Sequence, residues 1–354
     1  MTRGTPRDDG WRLLAVAVTL LAFRGVALAS GAATARGELA VADHERVLVI
    51  APHPDDESLG AGGLIQEVLA RGGTASIVWV TAGDGYVEAV EHATGELRPR
   101  AAAFVAYGEK RIHEAGEAVR VLAGGAPSSS APATRVLGFP DGGLRALLRD
   151  HWERARPERS PTTGVDRPPY PEAVDAAVAR YDGADLRREL DLAIGAADPT
   201  LIAFPDPADM HPDHHAVGLF TLLALDDWAE TAPRHGHGLP RMLAYLVHWP
   251  GWPPGWDDPP DPAGGTRALR LPENLPDRGL ARVMLPLSPA ETERKGRALA
   301  AHATQQAATP ALLASFVRAD EPFIVFSPVV LEHLTTSIER SLGDFERGRA
   351  APRR

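Results

Sequence analysis

Arg46-Val-Leu-Val-Ile-Ala51 runs directly into Pro52-His53-Pro54-Asp55-Asp56-Glu57-Ser58-Leu59-Gly60, and the reading of the fold is settled at that join. The first segment is a short, continuous, β-branched apolar run, the pattern of a strand buried on both faces of a parallel sheet. Gly60 to Arg71 then carries apolar residues at helical spacing and stops at Gly72-Gly73. Ala75 to Thr81 (Ala-Ser-Ile-Val-Trp-Val-Thr) reads as a second buried strand, so the local order is strand, helix, strand.

The same rhythm continues outward. Arg111–Ala123 is predicted as a helix and Arg135–Phe139 as a strand, with Gly124–Thr134 a Gly/Ser/Pro/Ala loop between them. Leu186–Ala196 and His214–Leu225 read as helices, Thr200–Phe204 and Met242–Val247 as strands. This alternation predicts an α/β fold, a Rossmann-like doubly wound, mostly parallel sheet with helices on both faces. A single domain is expected over 46–344, with Pro-rich loop insertions near 151–183 and 249–266, the second holding Trp249, Trp252 and Trp256. Residues 345–354 are expected to form a disordered basic tail.

With 354 residues and 44% hydrophobic content the chain can bury a full core. A net charge of -10 and a pI near 5.7 leave no basic surplus for a phosphate backbone, so no nucleic-acid partner is expected. There is no cysteine, which excludes disulfides and thiolate chemistry and leaves histidine and carboxylates to hold any metal. Arg3, Arg7 and Arg12 precede the apolar run Leu13–Phe23, and Ala27-Leu28-Ala29 offers a small-x-small cleavage pattern. Residues 1–29 therefore read as a signal peptide or an uncleaved N-terminal anchor, and 30–45 as a spacer. The protein is expected to be exported, as a secreted, periplasmic or cell-surface protein, touching membrane only through such an anchor.

A histidine and three acids at the carboxyl end of a central strand occupy the rim where open α/β sheets bind ligands. Packed together these groups repel one another unless a cation sits among them, and a divalent metal is the simplest such cation. His53 and Asp56 are spaced closely enough to reach one ion, with Asp55 turned aside toward a water. A catalytic zinc site needs three protein ligands, so the third must come from elsewhere. The second cluster, Pro205-Asp206-Pro207-Ala208-Asp209-Met210-His211-Pro212-Asp213-His214-His215, follows another predicted strand and can converge on the first.

Simpler roles compete for several residues. Asp55 or Asp56 could cap a helix, Asp213 suits a cap or an imidazole partner, and Asp84 and Asp141 suit turns. His215 reads as a packing or surface residue, His302 equally as a surface residue, and His248 as structural or exposed at a strand end. The tryptophans could form an aromatic lip for a sugar ring or pin the proline-rich loop to the core, the second being preferred. Gly60, Gly62 and Gly63 lack the spacing of a dinucleotide fingerprint, and the neighbouring acids would repel a pyrophosphate, so no such cofactor is expected.

Pro52-His53-Pro54-Asp55-Asp56-Glu57 and His211-Pro212-Asp213-His214 together resemble the two signature motifs of the PIG-L/LmbE family of zinc-dependent de-N-acetylases. Family-like features recur at Thr81–Gly85, Arg111–Glu114, Gly138–Gly142, Lys295 and Ala301–Gln305, so the resemblance spans roughly 46–306. It implies that His53, Asp56 and His214 bind Zn2+, that Asp55 is the general base, and that His211 assists at the oxyanion or leaving amine. Asp141 and Arg111 become candidate substrate-binding residues. The implied activity is hydrolysis of an N-acetyl or other N-acyl group from an amino sugar, a glycan or a related small amide. The alternatives are a broader amide hydrolase acting on an antibiotic or thiol-sugar conjugate, and a non-catalytic glycan-binding protein; an intact Asp55 argues against the latter.

Overall fold

The strands are β1 (Arg36–Glu38), β2 (Arg46–Ala51), β3 (Thr74–Thr81), β4 (Ala133–Phe139), β5 (Leu201–Pro205), β6 (Arg241–Tyr245), β7 (Ala281–Pro286) and β8 (Asp320–Phe326). They form one sheet in the order β1-β7-β8-β6-β5-β2-β3-β4. All pairs are parallel except β6–β8 and β7–β8, so the sheet is mostly parallel, as expected. The structure, a computed structural model, describes residues 36–124, 131–174, 177–231, 238–255 and 264–350. The leader or anchor read from residues 1–29, part of the Gly124–Thr134 loop, and Trp256 lie outside them.

From β2 the chain moves outward through β3 to β4, then returns to build β5 and β6 on the opposite side of β2. Right-handed crossovers in opposite directions place the connecting helices on opposite faces. On one face α1 (Asp56–Ala70) packs with α3 (Ala101–Leu122), beyond the short α2 (Val87–Thr94). On the other, α4 (Leu144–Arg149), α5 (Gly183–Ala197) and α6 (Pro212–Thr231) pack together. The remaining helices are α7 (Pro289–Ala301), α8 (Ala303–Ala308), α9 (Pro310–Ser315) and α10 (Pro328–Ala350); α7 joins the α1 layer and α10 the α6 layer. Among the described residues no helix is long and apolar enough to cross a membrane.

β2 and β5 are neighbours whose connections run apart, so their carboxyl ends open a crevice, the position at which open α/β sheets take ligands. Val47 to Ala51 and Leu201 to Phe204 are buried, and removing this apolar surface from water is the main force holding the two loops in place. α1 lies close to the sheet because Gly60 has no Cβ: one built there would stand 2.3 Å from the Tyr245 ring. The same holds at Gly63, where a Cβ would stand 2.4 Å from the Leu287 side chain.

Two boundaries need correction. Residues 30–45 are not all spacer, because Arg36–Glu38 pairs with Arg282–Met284 and Leu39 and Val41 enter the core. An edge strand of three residues is too short to show a period of two in the sequence. The disordered tail expected from 345 is helical through Ala350 as the end of α10. Its apolar residues Val330, Leu331, Leu334 and Ile338 are buried, and that packing carries the helix beyond where its charge-rich sequence suggests an end.

Candidate active site

His53, Asp55 and Asp56 sit on the turn from β2 into α1. Asp55 holds the N-cap position but makes no side-chain capping bond, so the cap reading does not account for it. Its backbone takes φ 156° and ψ -26°, a state rarely adopted by a residue with a Cβ. Glu57 supports that state, its carboxylate accepting the Asp55 N–H at 3.1 Å and the Trp79 indole N–H at 2.8 Å. The Asp55 carboxylate receives Arg111 Nη2 at 2.9 Å, and both side chains are buried. Burial pushes the Asp55 carboxyl up from its ordinary value, and the Arg111 charge opposes that.

Arg111 is anchored by donating to the backbone oxygens of Gly83 and Pro54 at 2.8 and 3.0 Å. A Cβ on Gly83, whose φ is +69°, would come within 2.3 Å of this guanidinium, so glycine is required there. Arg111 lines the cavity, but these contacts commit it first to Asp55 and the motif loop, not to free capture of substrate.

The two motif loops converge at Asp56. Its Oδ2 lies 3.1 Å from His53 Nδ1 and 3.1 Å from His214 Nε2, although the residues come from different strand ends. His214 is fully buried and neither ring nitrogen has a hydrogen-bond partner of good geometry. Ring nitrogens of His53, His211 and His214 fall within 4.8 Å of one another, the separation of groups that share an ion. Burial opposes charge on His214, but Asp56 and Asp209 outweigh it and bring the ring up to about 9. Burial likewise opposes charge on His53, while Asp141, Asp213 and Asp56 raise it well above its ordinary value. Protons on the two imidazoles thus supply the positive charge that a divalent cation would bring. The nitrogen and carboxylate donors of His53, Asp56 and His214 fit such a cation, whose binding would displace those protons.

His211 lines the same cavity. Burial and the charges of His53, His214 and His248 push it down to about 2, so the ring is neutral at pH 7. Its Nδ1 accepts the Asp213 N–H at 3.3 Å, which leaves the proton on Nε2. His211 is therefore a neutral hydrogen-bond donor. Asp213 accepts from the backbone N–H groups of Gly142 and Leu144 at 2.7 and 3.2 Å and stands 3.6 Å from His53, the expected supporting role.

Asp141 stands 3.2 Å from His53 Nε2 and accepts the Gly85 N–H, so its carboxylate steadies the imidazole as well as lining the cavity. Beside it Asp84 is buried, and burial together with the Asp141 charge pushes it up to about 7. The 151–183 insertion backs this corner, with Thr162 Oγ1 donating to Asp84 at 3.4 Å and the Tyr181 hydroxyl to Gly138 O at 2.8 Å. In the other insertion the Trp252 indole donates to Arg270 O at 2.7 Å and Trp249 to Asn274 at 2.8 Å. Both pin the loop, and neither lines the cavity.

Asp209 and His248 gain a place that reading the sequence did not assign them. Asp209 is buried, accepts backbone N–H groups from Val247, His248 and His211 at 2.9 Å each, and stands 3.4 Å from both His214 Nδ1 and His248 Nδ1. It orients His214 and ties the second motif to the end of β6. Its only sequence signal is its position two residues before His211. His302 is buried against Glu57 at 3.4 Å, contrary to a surface role, because α7 and α8 fold back onto α1. His215 Nδ1 donates to Pro207 O, in keeping with packing. Tyr86, Gln305, Thr309 and Leu312 complete a cavity of about 330 Å³.

Residues 48–225 match the PIG-L family, described as GlcNAc-PI de-N-acetylase. The chain belongs to the PIG-L family. No curated protein matches it. Among solved structures it is similar to the A40926 pseudoaglycone deacetylase Dbv21, at 21% identity and TM-score 0.47, covering 80% of this chain and 97% of that one. The conserved protein TT1542 from Thermus thermophilus is similar at 22% identity and TM-score 0.46, over 80% and 95% of the two chains. The N,N'-diacetylchitobiose deacetylase from Pyrococcus horikoshii is similar at 15% identity and TM-score 0.44, over 92% and 95%. These likenesses concern the fold, and the assignment of this PIG-L chain rests on the family match.

Proposed function

We propose that this PIG-L protein is a zinc-dependent hydrolase that removes an N-acetyl group from an amino sugar or a related small amide. The observation that carries the reading is the meeting of His53 and His214 at one buried Asp56 oxygen, with Asp55 held beside it by Arg111. His53, Asp56 and His214 would hold the ion, which supplies Lewis acidity and acidifies water when bound.

Asp55 then has the work of a general base: it takes a proton from the attacking water as the new C–O bond forms at the amide carbonyl. The neutral Nε2–H of His211 donates a hydrogen bond to the oxygen on which negative charge develops. As the C–N bond breaks, the nitrogen keeps the bonding pair and takes the proton back from Asp55, giving acetate and a free amine. Arg111 fixes the Asp55 carboxylate so that little reorganisation is needed during either transfer. The N-terminal leader pattern supports placing this reaction outside the cytoplasm, and N-terminal sequencing of exported material that begins near Ser30 would bear on that.

The test is a panel of N-acetylated sugars incubated with zinc-loaded protein, with release of free amine as the readout. Amine from at least one sugar is expected, with activity lost on chelation and restored by zinc. No amine from any sugar, together with amine from simple non-sugar amides, would move the reading to a broader amide hydrolase.

A further inference from the structure

Of the three acids in the first motif, Asp55 and Asp56 have places in the proposed chemistry and Glu57 has none. Glu57 is fully buried and does not line the catalytic cavity, so it is out of reach of substrate. A carboxylate withdrawn from water is costly unless donors surround it, and here they come from three directions. Oε2 accepts the Asp55 N–H at 3.1 Å and, from β3, the Trp79 indole N–H at 2.8 Å. Oε1 accepts the Ser58 hydroxyl at 2.6 Å and faces His302 Nε2, from the junction of α7 and α8, at 3.4 Å. Trp79, Ser58 and His302 are themselves buried, so the carboxylate is fixed in place.

What that fixed oxygen holds is the backbone of Asp55. A φ of 156° with ψ at -26° is a conformation that persists only where the surroundings impose it. The same N–H also reaches His53 O at 3.0 Å within the turn, so the Glu57 oxygen is not required merely to satisfy the donor. Its effect is on the direction in which the Asp55 peptide faces, while Arg111 grips the residue at its carboxylate. We infer that Glu57 is a positioning residue for the reaction, aiming the base through its backbone without acting on metal or substrate. The inference rests on the proposed hydrolase reading for its kinetic arm.

Glu57→Met alone would strand the Trp79 N–H, so the change is made as Glu57→Met/Trp79→Phe, removing the indole donor along with its acceptor, and is compared with Trp79→Phe. Relative to Trp79→Phe, the pair should lose about 10- to 100-fold in kcat on an N-acetylated sugar turned over by the parent, with KM and zinc content within about twofold. In an Asp55→Asn background the same pair should cost less than about threefold, because a base that is absent cannot be misaimed. Glu57→Gln should regain most of the loss, since its amide oxygen still accepts from Asp55. An equal fall in both backgrounds, loss of zinc, or no recovery by glutamine would overturn the inference. Exchange of the Asp55 amide hydrogen, followed by NMR in zinc-loaded protein, reads the clamp without turnover: it should be at least about tenfold faster in the pair than in Trp79→Phe and stay slow in Glu57→Gln. Unchanged exchange overturns the inference whatever the rates. Faster exchange in a protein that deacetylates no sugar upholds the clamp and counts against the hydrolase reading alone.

Discussion

Replacing Arg111 by methionine removes the cation beside Asp55 while keeping much of the side chain's volume. In the structure this strands three acceptors: the Asp55 carboxylate, Gly83 O and Pro54 O, all contacted at 2.8–3.0 Å. Breaking a buried ion pair by deleting one partner costs about 3–5 kcal/mol. At about 2.1 cal/mol/K of unfolding entropy per residue, a domain of this size should lose roughly 4–8 °C in Tm. Activity changes in a distinct way. Arg111 lowers the Asp55 carboxyl against burial, so its loss raises that carboxyl further. A base that is protonated at higher pH shifts the acid limb of the rate profile upward, and the variant should regain rate as pH rises. The assay is thermal unfolding at pH 7 with deacetylation rates from pH 5 to 9 at saturating zinc. A Tm within about 1 °C of the parent, or an acid limb that stays in place, would refute the assignment of Arg111 to Asp55.

Asp55→Asn should retain zinc yet lose about 10²- to 10⁴-fold in rate, since the amide cannot take a proton; metal-free protein would mean that the two carboxylates have been exchanged. Asp56→Asn, His53→Ala and His214→Ala should each lose most of about one zinc per chain in elemental analysis, and full occupancy in all three would sink the ligand set. Lys295→Met should cost about 3–5 kcal/mol in denaturant unfolding, because Lys295 Nζ lies 2.6 Å from buried Glu321 and 2.8 Å from Leu59 O. Asp84→Asn should raise Tm more at pH 8 than at pH 5. The folded Asp84 carboxyl sits near 7, so its burial is unfavourable above that and harmless near pH 4; equal gains at both pH values would contradict it.

The central strands were legible because Val47–Ile50, Ile77–Val80 and Leu201–Phe204 are continuous apolar runs, the form imposed when both faces are covered. β7 and β8 were not read because their sequences obscure that pattern. β7 is half-buried along most of its length, and β8 begins Asp320-Glu321-Pro322, where Glu321 is buried only by virtue of Lys295 and the Gly63 and Leu64 N–H groups. A partner so distant in sequence leaves no local trace. α3 begins at Ala101, well before Arg111, since Phe104 and Tyr107 bury against α2 in a small separate cluster. At the site, the structure brings His53, Asp56, His211 and His214 of the two motifs together, while Arg111 and Asp141 are engaged with Asp55 and His53. Asp209 escaped notice because its work is done through backbone N–H groups of Val247 and His248, contributed by another strand end.

Hydrogen-bond accounting makes the division of labour among the buried carboxylates specific. Asp209 is satisfied by three backbone N–H groups, Asp213 by two, and Asp141 by Gly85 N–H and His53. Asp55 has the guanidinium of Arg111. Asp56 receives a single backbone N–H, from His53, and otherwise faces two imidazole nitrogens at 3.1 Å. A buried carboxylate with so few fixed donors is stable only beside positive charge, and the raised His214 and His53 show that the surroundings draw protons in to provide it. Asp55, Asp141, Asp209 and Asp213 are tied to a guanidinium or to backbone N–H groups that hold the loops, whereas Asp56 faces chiefly protons that its two histidines can release. That asymmetry, and not the density of acids as such, is the physical ground for proposing Asp56, His53 and His214 as metal ligands and Asp55 as the group that moves a proton.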